Sequence, residues 1–177
     1  MKKYILPAAL TAAICASSPL MADVLNEGDN LVGGTIGFGF TAFANAATFG
    51  AHFERGIIED IFPDFNLGVG AIGAYTNYSS GLSYTVSHTF VGAQANVHYD
   101  AGVDNVQPYG GLVLGYNNFG YSDDNVSGSW GGGISSGAQV GARYFFADDL
   151  AAHLRWNSSF GGWGSYSQLH VGLDYRF

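Results

Sequence analysis

Four charged side chains stand at the borders of long charge-free segments, and they are the first candidates for chemistry. Glu54, Arg143, Arg155 and Asp174 each flank a run of at least 18 residues without Asp, Glu, Lys or Arg. Two carboxylates and two guanidinium groups can form ion pairs, and imidazole groups can bind zinc or transfer protons. These groups can act together only if folding brings separate segments to one place. The histidines that share the inward strand face with these charges are His52, His98, His153 and His170.

The spacing of these groups argues against a metal site. The histidines belong to different segments without a His-x-x-x-His pair, and the only cysteine is Cys15, near the N-terminus. Asp123, Asp124 and Asn125 resemble the start of a calcium loop. An EF-hand loop ends on a glutamate, however, and no Glu follows Glu59. We therefore predict no metal and no cofactor.

Charge is scarce along the whole chain. Only 11% of the 177 residues are charged, whereas 47% are hydrophobic and 15% are aromatic. A soluble domain has about 25% charged residues on average. The composition excludes a disordered chain. The formal net charge of -8 argues against nucleic acid as a partner, because it would repel phosphate.

The first 22 residues are typical of a secretory signal peptide. Two lysines follow Met1, an apolar stretch covers 4–16, and Ala22 provides a small residue at the cut. The apolar stretch has about 13 residues, fewer than the roughly 20 that a spanning helix needs, so an uncleaved anchor is the weaker alternative. We expect export with cleavage, an N-terminal segment at 23–30 and one folded domain at 31–177. Loss of Cys15 with the signal excludes a disulfide scaffold.

Large and small side chains alternate strictly in the charge-free segments, which predicts β-strands. Residues 35–41 read Thr-Ile-Gly-Phe-Gly-Phe-Thr, and the same period of two recurs at 66–71, 91–99, 137–144 and 168–177. Glycine costs about 1 kcal/mol at each helix-interior position, which disfavours transmembrane helices. Each strand therefore has one apolar face and one face of small or polar residues.

Acidic turns recur at a fixed interval. Asp60, Asp104 and Asp148 lie 44 residues apart, an interval that holds one strand pair with its loops. The chain is thus predicted to be all-β, a transmembrane eight-stranded antiparallel up-and-down β-barrel, apolar outside and polar inside. Four loops lie opposite the acidic turns, at 42–47, 78–84, 117–132 and 158–165.

Aromatic residues at both ends of the predicted strands favour a membrane barrel, because such girdles mark the two membrane interfaces. A soluble β-sandwich, the alternative, predicts no such bands. The residues on the turn side are Tyr99, Tyr109, Tyr144, Phe146, Tyr175 and Phe177, and those on the loop side are Tyr75, Tyr78, Tyr84, Tyr116, Trp130 and Trp163.

The C-terminus resembles the assembly signal of bacterial outer-membrane β-barrels. Apolar residues alternate up to a terminal aromatic at Leu169, Val171, Leu173, Tyr175 and Phe177. Residues 29–177 are similar to small barrels of the OmpA/OmpX type and the opacity-type porin family, including Gln-Pro-Tyr-Gly-Gly-Leu at 107–112. The resemblance implies insertion by the barrel-assembly machinery into the outer membrane of a Gram-negative bacterium. We expect a monomer surrounded by outer-membrane lipids.

A barrel of eight strands has an interior just wide enough for side chains or one small ligand, so a wide pore is excluded. Counted from the turns, Glu54, Arg143 and Arg155 share a level roughly 13 Å above the periplasmic turns. An unpaired buried charge costs about several kcal/mol, so we predict a closed polar network that plugs the lumen. The alternative is a narrow channel for small solutes or ions. The predicted network contains Glu54, Arg143, Arg155, Asp174, His98, His153 and His170.

These features predict a structural or surface role, with any outside partner bound by the loop at 117–132. A lipid A-modifying barrel enzyme is less favoured. Ser87 and His88 are adjacent and would point to opposite faces of a strand, although His88 itself is expected near lipid at the loop-side rim. A periplasmic ligand carrier is a further alternative. We predict no catalytic residue, and the candidate contact residues of the loop are Tyr121, Asp123, Asp124 and Trp130.

Overall fold

Eight antiparallel strands form one closed barrel in which each strand pairs with the next and β8 returns to β1. The computed structural model describes residues 24–41, 44–80, 84–123 and 126–177. The predicted fold class and strand number are confirmed. The predicted signal peptide lies outside the described residues. The strands are β1 Asn30–Thr41, β2 Ala44–Phe62, β3 Phe65–Ser80, β4 Tyr84–Tyr99, β5 Val106–Ser122, β6 Ser127–Phe145, β7 Leu150–Gly162 and β8 Tyr166–Arg176.

The first and last strands close the barrel through a regular antiparallel ladder. Ile36 lies opposite Val171, and the ladder runs from Thr41 to the end of the chain. At the C-terminus the amide of Asn30 donates to the carbonyl of Phe177, and the amide of Phe177 donates to the carbonyl of Asn30, both at 2.9 Å. Closure leaves no sheet edge open for pairing with another chain. No helix in the described ranges is long and apolar enough to cross a membrane.

The period of two in the sequence becomes an inside and an outside. On β1, Ile36 and Phe38 are 43% and 59% exposed on the outer surface, while Thr35 between its apolar neighbours is buried. The same alternation continues around the barrel, and polar side chains fill the lumen. This arrangement is the reverse of a water-soluble protein, and it is the one that lipid requires.

The strands extend further than the sequence predicts, so the four loops are shorter than expected. The predicted loop at 117–132 is mostly a hairpin, because β5 continues to Ser122 and β6 begins at Ser127. Likewise β7 reaches Gly162 and β8 begins at Tyr166. The other two connections fall on residues 42–43 and 81–83, outside the described ranges. No proline follows Pro108 in the chain, and the ladders of β5 to β7 are interrupted only by register shifts at Phe119/Gly120 and Ser136/Gly137.

The segment before β1 folds back over the turn-side mouth of the barrel. Leu25 is only 1% exposed. Its carbonyl accepts a hydrogen bond from the side-chain amide of Asn66 at 3.1 Å, and the amide of Gly28 donates to the carbonyl of Gly56 at 3.0 Å. A side chain at Gly56 would overlap the carbonyl of Asn26, so glycine leaves room for the segment. This mouth is therefore covered by the chain itself.

Candidate functional site

The lumen contains a buried group of ion pairs, here called the ion-pair layer, formed by Glu54, His98, Arg143 and Asp174. Arg143 donates from Nη2 to Oε2 of Glu54 at 2.8 Å and from Nε to Oδ2 of Asp174 at 2.7 Å. His98 Nε2 lies 2.7 Å from Oε1 of Glu54. All four side chains are at most 1% exposed. One guanidinium thus joins two carboxylates that are 120 residues apart in the chain.

Every second strand contributes one member of the ion-pair layer. Glu54 lies on β2, His98 on β4, Arg143 on β6 and Asp174 on β8. Each of these four side chains points into the lumen, since successive side chains of a strand alternate between its faces and the two neighbours in sequence are more exposed. The residues meet in the centre of the barrel since the side chains project from strands on different sides of the lumen.

The hydrogen bonds define the proton positions on His98. Arginine can only donate, so the contact of 3.2 Å from Arg143 Nη1 to Nδ1 of His98 makes Nδ1 an acceptor. The proton of a neutral imidazole then resides on Nε2, from which it is donated to Glu54. The neutral His98 therefore accepts a hydrogen bond from Arg143 and donates one to Glu54, and it adds no charge to the layer.

Further contacts hold Arg143 in place. Nη1 donates to Oε1 of Gln107 at 3.2 Å, and the guanidinium lies over the Tyr109 ring, 4.4 Å from its centroid. Asn96 donates to Oε1 of Glu54 at 3.0 Å, and Gln139 donates to Oδ1 of Asn96 at 2.6 Å. Neutral amides thus extend the ion-pair layer toward the middle of the lumen.

Tyr109 and His88 are placed differently from the sequence prediction. The sequence predicts Tyr109 in the outer aromatic girdle, but its side chain is buried inside, against Arg143. The sequence predicts His88 near lipid, but it is buried, and its Nε2 lies 2.7 Å from Oδ1 of Asn117. In both cases the position along the strand determines the direction of the side chain. His88 lies an odd number of residues from the outward-facing Val91, and Tyr109 lies an odd number of residues from the outward-facing Leu112, so both point inward.

Two more histidines converge on Asp174. His153 Nδ1 lies 2.7 Å from Oδ1, and His52 Nε2 lies 3.2 Å from the same oxygen. These three residues form the one group among the described residues that could offer three metal ligands. Ligands around a tetrahedral zinc ion, at bonds of about 2.0–2.1 Å, are about 3.3 Å apart. The distance of 2.7 Å from His153 Nδ1 to Asp174 is shorter than this ligand spacing, and Arg143 also donates a hydrogen bond to Asp174. The three residues therefore form a hydrogen-bonded cluster.

Arg155 and His170 lie apart from the ion pairs. Arg155 is 2% exposed and faces the lumen, but in the described part of the chain none of the ion pairs includes it. The register explains the difference. His153 lies opposite Arg143, whereas Arg155 lies opposite Gly141, two residues further toward the loop side. His170, opposite Arg155 on β8, has Nδ1 3.4 Å from the hydroxyl of Thr35.

A second polar group, here called the amide layer, lies near the loop-side end of the lumen and consists of His88, Asn117 and Ser135. Asn117 donates to the hydroxyl of Ser135 at 2.6 Å and to the carbonyl of Trp163 at 2.7 Å. The ring of Phe119 stacks on His88 at a centroid distance of 4.5 Å. Sequence reasoning missed this layer, although the inward parity of Asn117 on β5 is a signal for it.

Inward glycines make room for the histidine rings. A Cβ at Gly37 would overlap the ring of His170, and one at Gly33 would overlap Asp174 and lie 2.5 Å from Cε1 of His52. Gly34, which faces outward, has open space at the same position. At Gly33 and Gly37 the glycine on the polar face thus lies opposite a large inward side chain of the neighbouring strand.

The predicted loop contacts lie at the tip of the β5–β6 hairpin. Tyr121 and Trp130 stack at a centroid distance of 5.4 Å, and Tyr84 lies 6.0 Å from Trp130. We call these three residues the aromatic cluster. Asp123 is exposed beside it, and Asp124 lies outside the described residues. The predicted C-terminal signal residues all lie on the outer surface, with exposed fractions from 45% to 61%.

Comparison with known proteins supports the fold. No family model matches the sequence, and no curated protein matches it. The structure is similar to Neisserial surface protein A, with a TM-score of 0.62 and 16% identity over 84% of this chain and 96% of that chain. It is also similar to the N-terminal β-barrel domain of Pseudomonas aeruginosa OprF, with a TM-score of 0.60 and 14% identity over 85% and 98%.

A third similar structure is Ail, the attachment invasion locus protein of Yersinia pestis. The TM-score is 0.58, with 16% identity over 85% of this chain and 99% of that chain. The fold is therefore that of one structural class, the closed eight-stranded antiparallel β-barrels, which these three outer-membrane proteins share. Within that class, the chain is characterised by a lumen in which one arginine joins two carboxylates.

Proposed function

We propose that the protein resides in the outer membrane of a Gram-negative bacterium, after export and removal of residues 1–22. The apolar outer surface supports this location, since most large apolar side chains of the strands face outward. The outward positions of Tyr175 and Phe177 support recognition by the barrel-assembly machinery at the end of β8. Membrane fractionation tests the location. Recovery of the mature chain in a detergent-free supernatant would instead indicate a periplasmic carrier.

Within the membrane, we propose a structural and surface role with a lumen that does not conduct. The observation that carries this proposal is the bonding of Arg143 to both Glu54 and Asp174 across the lumen. The chain also covers the turn-side mouth with Leu25. An ion would have to displace these contacts to pass, and a buried charge that loses its partner costs about 3–5 kcal/mol.

Planar-bilayer recording distinguishes a closed lumen from a narrow channel. The wild-type protein should give no regular conductance steps, while a known porin inserted in the same lipid verifies the assay. The variant R143A/E54A/D174A, which removes the arginine and both carboxylates of the ion-pair layer, tests whether these three side chains close the lumen. Regular steps from the wild type would favour the channel.

The positions of the histidines bear on the enzyme alternative. All five histidines of the chain are buried, with their side chains turned toward the lumen. A lipid A-modifying enzyme of the serine–histidine type needs a histidine base at the lipid-facing surface. We therefore propose that the protein has no such activity. Analysis of lipid A acylation in cells with and without the protein should show no difference, and a change would refute the proposal.

The aromatic cluster is the proposed contact for an outside partner. Its three rings provide an apolar surface with the acidic residue Asp123 beside it. The segment 117–132 contains neither Lys nor Arg, so it adds no basic group to this surface. Ail has been solved with a heparin analogue, sucrose octasulfate. An acidic loop would repel such a ligand, so we propose a neutral or cationic partner surface for this chain.

A deletion tests this contact. Removing residues 121–129 deletes the last paired residues of the β5–β6 hairpin but keeps its ladder from Phe119 toward the turn side, so the barrel should retain its heat-modifiable mobility on a gel. Cells displaying the deletion should lose binding to immobilised neutral or cationic surfaces that the wild type binds. Equal binding by both proteins would refute the assignment of the contact to this hairpin, and loss of the mobility shift would show that the hairpin is needed for folding.

A further inference from the structure

A small cavity lies inside the barrel, between the ion-pair layer and the amide layer. Its volume is about 20 Å³, which is enough for one water-sized occupant. One wall is polar and includes Arg155, Asn157 and His170. The facing wall is apolar and includes Ile72 and Phe90. The cavity therefore combines a fixed positive charge with an apolar lining.

Arg155 is the unusual member of this wall. It is 2% exposed, and its Nε has no hydrogen-bond partner. Both inward carboxylates of the described strands, Glu54 and Asp174, are bonded to Arg143 instead. No Asp or Glu of the described residues lines the cavity. A guanidinium has five N–H donors and cannot release its charge, so this side chain requires an acceptor, preferably an anionic one.

Asn157 is arranged to share that acceptor. It lies two residues after Arg155 on β7, on the same inward face, and its side-chain oxygen also lacks a hydrogen-bond partner. A carboxamide carries two N–H donors as well as an oxygen and can turn its nitrogen to an anion. Two unsatisfied polar side chains thus face one small space from the same strand.

We propose that Arg155 and Asn157 bind a single halide-sized anion, of which chloride is the common example, inside the barrel. The cavity wall has one fixed positive charge, that of Arg155, which a monovalent anion balances and a sulfate does not. The apolar wall at Ile72 and Phe90 suits a weakly hydrated, polarisable ion better than a doubly charged one. Water is the competing occupant, because it is of similar size and can also accept from a guanidinium. The proposal does not depend on whether the lumen conducts.

Bromide diffraction tests the proposal on the wild-type protein. Crystals of the detergent-solubilised barrel grown in sodium bromide should show one anomalous peak inside the lumen, within hydrogen-bonding distance of Nε of Arg155. Ordered density without an anomalous signal at that position would mean that water fills the site. Bromide peaks confined to the outer surface would mean adventitious ions only, and either result overturns the proposal.

A chloride titration of unfolding provides the second test. At constant ionic strength, replacing gluconate by chloride should lower the unfolding equilibrium constant of the wild type, up to tenfold for each tenfold rise in chloride above its dissociation constant. Arg155→Gln should abolish the response, and Arg155→Lys should retain part of it. Arg55 faces outward on β2, so Arg55→Gln is the matched control and should respond like the wild type.

The two tests together leave the proposal falsifiable. If Arg155→Gln does not fold, the bromide experiment on the wild type decides. If chloride and gluconate have equal effects on the wild type, or if Arg155→Gln responds like the wild type, the anion site at Arg155 is refuted.

Discussion

Replacing Arg143 by methionine should destabilise the barrel more than any other single change of an arginine. Methionine keeps much of the side-chain length but removes the group that donates to Glu54 at 2.8 Å and to Asp174 at 2.7 Å. Two carboxylates would then remain buried without their cation. His98 and His153 still contact them, so each carboxylate keeps one imidazole partner.

The expected magnitude follows from the burial of the pair. Breaking a buried ion pair by removing one partner costs about 3–5 kcal/mol, because an uncompensated charge is left in the interior. Two carboxylates lose their cation, but each keeps one imidazole partner. We therefore expect the free energy of unfolding to fall by an amount within that range and not by twice as much. With a urea dependence of about 2 kcal/mol per molar, the unfolding midpoint should fall by about 1.5–2.5 M.

Urea unfolding in lipid vesicles, followed by tryptophan emission and by heat-modifiable mobility, measures this loss. The triple variant R143M/E54Q/D174N removes both orphaned charges and should recover most of the stability, since no uncompensated charge then remains in the interior. Arg55→Met, on the outer surface, should change the free energy of unfolding by less than about 0.5 kcal/mol. A midpoint shift below about 0.5 M for Arg143→Met, or a triple variant as unstable as the single one, would refute the reasoning.

Three further substitutions test other parts of the barrel, each by the same unfolding assay. Gly37→Ala should lower the free energy of unfolding by about 1–3 kcal/mol because its methyl group would overlap a histidine ring. Gly34→Ala, with open space around it, should leave that free energy unchanged, and equal effects of the two substitutions would contradict the close approach at Gly37. Asn117→Leu should lose about 2–3 kcal/mol with its three hydrogen bonds, and Asn118→Leu, one position away and half-buried, should lose less than about 1 kcal/mol. Leu25→Ala should lose about 2 kcal/mol and speed proteolysis of the N-terminal segment; an unchanged cleavage rate would show that Leu25 does not hold the segment in place.

The strand pattern and the direction of most side chains follow from the sequence. A period of two needs only local information, since neighbouring side chains point to opposite faces of any strand. The alternation alone therefore assigns Glu54 and Asp174 to the polar face. Tyr109 and His88 are exceptions: the aromatic character of Tyr109 suggests the outer girdle and His88 is expected near lipid, but their positions along β5 and β4 turn both side chains inward.

The ends of the strands are less predictable. Glycine and serine are common both in loops and in this barrel, so the tip of the β5–β6 hairpin carries no clear boundary between pairing and turn. The N-terminal segment carries no signal for its position over the mouth. Leu25 is apolar, but a single apolar residue before a strand does not show what it packs against.

The sequence by itself determined a closed barrel with an apolar exterior and a few inward charges, because alternation, charge-free runs and the 44-residue spacing are properties of the chain alone. Only the tertiary structure decided which arginine pairs. Arg143 and Arg155 have the same parity, but the register of β6 and β7 places one beside both carboxylates and the other two residues away, at the cavity. Which side chains lie at the same height along the barrel axis depends on the stagger of all eight strands, and no local sequence pattern encodes that stagger.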